Sequence, residues 1–449
     1  MGVDAEYGYV VSETANTGQA TAARPSTILI VGGGPAGLFA AERLSARGHK
    51  VTLVERMPSV GRKLMMAGRG GLNLTHSEGL KDFLTRYGND AKPIVGAIHG
   101  FRPNELILWA HGLGQDTFVG TSGRVFPKAM KASPLLRAWL QRLRAQGVEI
   151  VTGERWVGWD GNGQMLFRLE KGGAEAGSHT RSADAVVLAL GGASWPRLGA
   201  DGNWTEFLRT HGMVVTPWQP ANAGVHIAWS SLMRDKFAGT PLKRLGVTVA
   251  GGGQVLGEAM VTRNGLEGGA IYAVGAELRR VMADGPGVLH LDLKPGMTVG
   301  ELTKALARPR GKQSLANHLR KSAGMPPVMV ALLHESFGRS LPAEPEALAA
   351  AIKSVQLTVT GFAGLERAIS SAGGLALEEI DARGMLLKQP GVFVAGEMLD
   401  WDAPTGGYLL QACFATGKLA ADGVMAWLAA TSASDAVSTA VATPIETGT

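Results

Sequence analysis

An apolar run, Ile28-Leu29-Ile30-Val31, leads directly into Gly32-Gly33-Gly34-Pro35-Ala36-Gly37, and Glu55 closes the next apolar run at residues 51–54. Strand, Gly-x-Gly-x-x-Gly, helix, strand and acid, in that order, specify a βαβ unit suited to a dinucleotide. Each glycine has its own task. Gly32 permits the tight turn, Gly34 lets the backbone approach a pyrophosphate, and Gly37 lets the helix pack on the strand. A helix starting at Pro35 and Ala36 offers free N–H groups and a positive dipole end to phosphates. Glu55 is placed to accept hydrogen bonds from an adenosine ribose. The competing reading is a glycine-rich turn in some other α/β protein.

A chain of 449 residues has room for two or three domains. Its 63 glycines are about twice the usual share, as expected where backbone approaches a ligand closely. The single cysteine, Cys413, excludes an intramolecular disulfide and suits a reducing compartment. Its place among Leu409, Leu410 and Phe414 predicts a buried, inert thiol. No apolar run approaches the roughly 20 residues of a membrane helix, so no membrane partner is expected. Residues 1–26 lack the apolar stretch of a signal peptide and read as a disordered extension, as does the Ala/Ser/Thr-rich tail at 431–449. The default location is the cytoplasm.

The net charge of +6 accommodates an anionic cofactor, an anionic substrate or RNA. The cations are spread along the chain, with no basic tail and no zinc-finger or RNP-type motif. No metal-ligand spacing or Ser/His/Asp constellation occurs, and no metal is expected.

Two further segments repeat the strand-then-glycine pattern. Ala185-Val186-Val187-Leu188-Ala189-Leu190 ends in Gly191-Gly192, with Ala193-Ser194-Trp195-Pro196 as the turn beyond. Far downstream, Gly391-Val392-Phe393-Val394-Ala395 ends in Gly396-Glu397, followed by Asp400, Asp402, Pro404-Thr405-Gly406-Gly407-Tyr408 and a helical stretch. FAD accounts for both ends of the chain: the fingerprint holds adenosine and pyrophosphate, while ribityl chain and flavin reach beyond it. Glu397 is then placed for the ribityl hydroxyls, or for the pyrophosphate through water. A helix beginning near Gly406 and Gly407 aims its N–H groups at the pyrimidine edge of the flavin. Gly251-Gly252-Gly253 imitates a second fingerprint but lies between two short strand-like runs with no helix after it, so it reads as a hairpin turn. No dedicated NAD(P)H domain is expected.

Together these segments resemble the HI0933-like (YhiN-like) flavoproteins, a branch of the two-dinucleotide-binding FAD family. The matching stretches are residues 61–76 (GRKLMMAGRGGLNLTH), 123–127 (GRVFP) with Lys131-Ala132-Ser133, 262–269 (TRNGLEGG), 358–362, 372–374 and 396–411. The resemblance spans about residues 28–428. It implies an α/β, Rossmann-like FAD domain that is discontinuous, with a β-rich domain and a helical subdomain inserted. The expected divisions are 27–216 for the first part, 217–355 for the insert and 356–430 for the second part. The residues agree, since 217–292 shows short strands and glycine turns and 299–354 is helical in pattern. One departure stands out. Many relatives carry Gly-Gly-Gly-Arg-Cys-Asn where this chain has Gly68-Arg69-Gly70-Gly71-Leu72-Asn73, so Gly71 replaces the arginine and Leu72 the cysteine. That makes the substrates of cysteine-bearing relatives no guide here.

The loop at 62–76 is expected to pass beside the isoalloxazine, with Gly70 permitting close approach. Lys63, Arg69, Asn73 and Thr75 would donate to the ring or pyrophosphate, although Arg62 and Lys63 also read as solvated surface charges. His76 is a candidate proton donor or a loop-stabilising group. Arg124 and Lys128 are candidates for an anionic substrate, and Tyr408 and Gln411 for neighbours of the flavin edge. The leading expectation is an FAD-dependent oxidoreductase reducing an activated C=C or C=N bond of a small molecule, with NAD(P)H as transient donor. The broad family includes enone reductases, an enzyme reducing a uracil ring in ribosomal RNA, and an amine oxidase. Uridine reduction in ribosomal RNA and amine oxidation with O₂ are therefore the alternatives, with a non-enzymatic flavin-binding protein behind them.

Overall fold

Five parallel strands order the molecule: Val392–Val394, Ala185–Leu188, Thr27–Val31 (β1), Lys50–Glu55 (β2) and Glu149–Thr152, side by side in that sequence. The computed structural model describes residues 25–88, 90–171 and 177–441. The extension expected at 1–26 thus falls outside the described residues except for its last two. The inner strands are apolar along their length because helices cover both faces of the sheet, as parallel sheets require. Helix α1 (Pro35–Ser45) follows β1 directly and packs against the long C-terminal helix Tyr408–Val441. Gly417 allows that crossing, since a Cβ there would lie 2.5 Å from the Ala36 carbonyl oxygen. Phe39, Trp109, Trp139 and Phe414 interlock beneath it, with ring centroids 4.7–5.9 Å apart.

The insert leaves through Val215–Ala221, which pairs antiparallel with Ser370–Leu375 on the return. Between them six strands close a barrel, in the order Val225–Ile227, Gly265–Glu267, Val255–Thr262, Pro241–Val249, Gly287–Asp292 and Val355–Phe362. Helices Val299–Leu306, Leu315–Ala323, Pro327–Phe337 and Pro345–Lys353 complete the lobe. The 251–253 glycines turn the hairpin between Pro241–Val249 and Val255–Thr262, as the sequence predicts.

Two boundaries need correction. The expected return to the FAD domain at 356 falls inside the sixth barrel strand, which closes the barrel through Val225↔Phe362 and Ile227↔Val359. Val355, Leu357 and Val359 are buried while Gln356, Thr358 and Thr360 face solvent. That alternation belongs to a one-sided barrel strand, not to a strand of the two-sided parallel sheet. The tail expected to be unstructured from 431 continues as helix to Val441, because its alanines extend an existing helix at little cost.

Candidate functional site

The fingerprint glycines divide the work between fold and cleft. Gly32 sits at φ 109°, and a Cβ there would lie 2.2 Å from the Ala189 carbonyl oxygen. A Cβ on Gly37 would lie 2.0 Å from the Gly32 oxygen, so this glycine sets how closely α1 packs on the turn. Gly34 differs: its backbone is extended (φ −82°, ψ 179°), and nothing lies within 4 Å of a Cβ built on it. The surface it leaves open lines a cleft at the start of α1. Glu55 borders the same cleft and already braces the turn, accepting from Gly33 N–H and Met57 N–H at 2.8 Å each. Burial pushes its carboxyl pKa up.

The opposite wall comes from the distant strand ends. Gly396, at φ 82°, is tied to the C-terminal helix by its N–H donating to Thr416 Oγ1 at 2.9 Å. Next to it Glu397 accepts from Lys63 Nζ at 2.6 Å, and Lys63 also reaches Ser194 Oγ at 2.6 Å. Lys63 is therefore paired across the cleft and is no solvated surface charge. Gly191, at φ 73°, accepts from Trp204 Nε1 through its carbonyl, and Gly192 packs against the Ser371 hydroxyl. Cys413 lines the cleft too, but burial raises its thiol pKa and keeps it protonated, as its helical neighbours predict.

The 61–76 segment is more ordered than a loop. Gly61 starts it in the left-handed region at φ 69°, Arg62–Ala67 forms a helix, and Gly68–Gly70 adds a 3₁₀ turn. The strong helix formers Arg-Lys-Leu-Met-Met-Ala account for this. Arg69 lies in that turn, and its side chain is outside the described residues. Gly70 has open space where a Cβ would stand, whereas a Cβ on Gly71, at φ 109°, would lie 2.6 Å from Met130 Cε. Arg62 donates to Ser59 Oγ at 3.3 Å, yet its Nε is buried without a partner, as is Asn73 Oδ1. The orphaned Arg62 Nε, on a residue that lines the cleft, and the open Gly34 surface fit a polar, phosphate-bearing cofactor.

Three predicted site residues serve the scaffold instead. Thr75 is fully buried and donates to Gln411 Oε1 at 2.8 Å, while Gln411 Nε2 donates to the Phe101 carbonyl at 2.7 Å. Both side chains are thereby spent on anchoring the C-terminal helix and are not free to donate to a flavin. His76 has both ring nitrogens engaged, Nδ1 accepting from Glu78 N–H at 3.1 Å and Nε2 facing the Ser122 carbonyl at 2.9 Å. The pair fixes the proton on Nε2, and the ring stacks on Tyr408 at 5.5 Å. Tyr408 in turn donates to Glu78, whose carboxyl the Arg86 guanidinium holds below its ordinary pKa. Lys128 is an exposed cation paired with exposed Asp116 at 3.1 Å, and it does not line the cleft. Sequence proximity to Arg124 misplaces it, because the strand ends at Pro127 and Lys128 stands in the turn beyond, where the strand's alternation no longer fixes its direction.

Arg124 lies beside the Gly406–Gly407 turn. It heads the strand Arg124–Pro127, paired to His76, and its Nε lies 3.7 Å from where a Gly406 Cβ would stand. It makes no side-chain hydrogen bond or ion pair with a described residue. Gly406 and Gly407 adopt φ 129° and 100°, and a Cβ on Gly407 would lie 2.5 Å from the Thr75 backbone. Thr405 N–H donates to Asn222 Oδ1 at 3.1 Å.

Asn222 is a residue that sequence reasoning misses. Buried and left-handed at φ 48°, it also donates from Nδ2 to Ser370 Oγ at 2.7 Å and to the Ala403 carbonyl at 2.8 Å. Arg279, from the inserted lobe, forms an ion pair with Asp402 and donates to the Pro220 carbonyl at 3.1 Å. Burial raises the Asp402 pKa against the pull of that guanidinium. The 402–407 turn is thus clamped by Asn222 at the root of the insert and by Arg279 from within its lobe.

Glu397 gives a direct check on the far wall. Glu397→Ala is expected to weaken FAD retention about tenfold, the loss of one charge-assisted hydrogen bond. Dissociation followed by flavin fluorescence measures it, and an unchanged affinity would remove this carboxylate from the cofactor site.

The HI0933-like protein Rossmann domain family matches residues 26–423 of this chain. A 3-dehydro-bile acid delta(4,6)-reductase of Clostridium scindens is 28% identical over 411 residues, covering 87% of this chain and 97% of the relative. A ribosomal RNA dihydrouridine synthase of Escherichia coli is 24% identical over 404 residues, covering 85% and 94%. Among solved structures, the open conformation of a flavocytochrome c3 fumarate reductase aligns with a TM-score of 0.48 and 17% identity, over 90% of this chain and 79% of that one.

Proposed function

The chain belongs to the HI0933-like family of FAD-dependent oxidoreductases, and from that premise we propose that it reduces an activated C=C or C=N bond of a small molecule at the expense of NAD(P)H. The observation that carries this reading is one cleft bounded on one side by Gly32, Gly34 and Glu55 and on the other by Lys63 and Glu397. FAD, when bound, supplies the hydride. The first turn of α1 takes the pyrophosphate, Glu55 the ribose, Arg62 and Asn73 polar groups of the cofactor, and Glu397 the ribityl hydroxyls. The glycine pair and Tyr408 at the start of the C-terminal helix would border the flavin ring.

Arg124 is the residue we assign to the substrate. Reduction of a conjugated bond builds negative charge on the conjugated oxygen or nitrogen, and a guanidinium without a described partner is available to stabilise it. Leu72 has no proton to give, Cys413 is held protonated by burial, and the His76 N–H is committed to Ser122, so none of them is assigned as acid. The names of the two relatives, a reductase and a dihydrouridine synthase, both describe addition of hydrogen, which favours reduction over oxidation here. Anaerobic mixing of the flavin-loaded protein with NADPH, and separately NADH, tests the donor. Bleaching of the flavin band is expected with at least one. A flavin that stays oxidised with both would overturn the donor assignment and turn the search to amine substrates.

A further inference from the structure

A cleft on the inserted lobe takes no part in the chemistry above. Its volume is about 520 Å³, inside the roughly 300–1,000 Å³ of small-molecule sites, and it shares no residue with the cofactor cleft. The strand Pro241–Val249 forms one side, and the turn at 293–297 with the segment after helix Leu315–Ala323 forms the other. Its floor is apolar: Leu293 and Met329 are buried and Met297 is half-buried. Its charge has one sign. Lys243, Arg244 and Lys294 line it, no acidic residue does, and none of the three side chains has a hydrogen bond or ion pair with a described residue.

The backbone is bent to place these cations. Between Leu242 and Leu245 the strand bulges against Val255–Thr262, so that Lys243 and Arg244 both face outward where alternation would turn one of them inside. Arg244 adopts φ 53°, a left-handed conformation that costs a residue with a Cβ about 1 kcal/mol. Glycine would make the same bend unstrained, and strain of this kind collects at ligand sites. Lys294 is held from below. Its N–H donates to Asp292 Oδ1 at 2.9 Å, and Lys353 Nζ donates to the Lys294 and Met297 carbonyls at 3.1 and 2.8 Å. Asp292 is itself paired with Lys353 at 2.6 Å, which leaves the Lys294 charge without a counter-ion. The Lys294 ammonium stands 3.6 Å from where a Cβ on Gly324 would lie, and the missing side chain leaves it open to the cleft.

We infer that this cleft binds a phosphate monoester with an apolar body. Three cations without an acid among them suit a dianion better than a single carboxylate, and a phosphate monoester carries about −1.5 to −2 charges at neutral pH. The Arg244 guanidinium can take two phosphate oxygens at once, with the two lysines as point charges beside it. Leu293, Met297 and Met329 give the apolar part of the ligand a surface to cover, which a bare anion would leave wet. The inference stands apart from the reaction proposed above, since it concerns a separate site and binding alone.

Calorimetric titration of the full-length, flavin-loaded protein with naphthyl phosphate tests it, with naphthoate and inorganic phosphate as comparisons. Naphthyl phosphate is expected to bind at least about tenfold tighter than naphthoate, which lacks the second charge, or phosphate, which lacks the apolar body. Lys294→Met should weaken it at least about tenfold, the loss of one charge-assisted contact. Arg244→Gly should weaken it as much while the unfolding midpoint stays within about 2 °C of wild type, because glycine relieves the strain at φ 53°. That pairing separates a lost ligand contact from a damaged fold. Lys321→Ala, an exposed cation of the same lobe outside the cleft, should leave affinity within about twofold. No binding at about 1 mM probe, equal affinity for naphthoate, or equal loss in Lys321→Ala and Lys294→Met would overturn the proposal. So would a shift of the flavin absorption band on binding, which would put the probe in the cofactor cleft.

Discussion

Gly34→Val is expected to yield a folded protein that has lost its flavin. The position tolerates a side chain as far as the polypeptide is concerned, since the backbone is extended and no protein atom lies within 4 Å of the new Cβ. What the branched side chain would fill is the approach to the first turn of α1, where the pyrophosphate is assigned. Loss of that approach should weaken FAD by at least about a hundredfold, near 3 kcal/mol. The unfolding midpoint of the cofactor-free protein should move by less than about 2 °C, as for an unstrained substitution facing open space. Gly37→Ala gives the opposite pattern. Its Cβ would meet the Gly32 oxygen at 2.0 Å, so α1 must shift off β1. Overpacking of this kind costs about 1–3 kcal/mol, enough to lower the midpoint by several degrees. Flavin absorbance per protein and the midpoint of the cofactor-free form separate the two. A Gly34→Val protein that keeps its flavin would remove the fingerprint from the cofactor site.

The contrast between these glycines also marks how far the sequence can be read. The fingerprint is local: turn, helix and strand lie within 30 residues, and each glycine's role follows from its place in the turn. The two other strand-glycine segments were legible for the same reason, and β1 pairs directly with Ala185–Leu188, which pairs with Val392–Val394. What proved illegible depends on contacts between remote segments. Lys63 meets Glu397 across 334 positions, and Thr75 meets Gln411 across 336. Nothing near either threonine or lysine announces that the first is spent on the scaffold while the second crosses the cleft. The barrel boundary was missed for a subtler reason. Leu357 and Val359 suit a parallel strand as well as a barrel strand, and only the exposed residues between them tell the two apart.

Asn222 is the extreme case of a site residue without a sequence signal, and its replacement should be among the most damaging in the molecule. It stands at the root of the insert, where the chain leaves the FAD domain. One side chain there holds Ser370 on the returning strand and both Ala403 and Thr405 ahead of the glycine pair. Asn222→Ala strands the half-buried Thr405 N–H and the buried Ala403 carbonyl, at about 1–3 kcal/mol each, and puts alanine, which tolerates the left-handed region less well than asparagine, at φ 48° for about 1 kcal/mol more. A total of about 3 kcal/mol or more is expected. Asn222→Gly should recover only the backbone part, about 1 kcal/mol, which separates conformational strain from lost hydrogen bonds. Because the released segment leads into Gly406 and Gly407, the variant should also lose part of the stabilisation that FAD gives. The gap in unfolding midpoint between cofactor-bound and cofactor-free protein would then narrow relative to wild type. An unchanged gap alongside lowered stability would confine Asn222 to the scaffold. An unchanged midpoint would mean that the 402–407 turn is held by the Arg279–Asp402 ion pair alone.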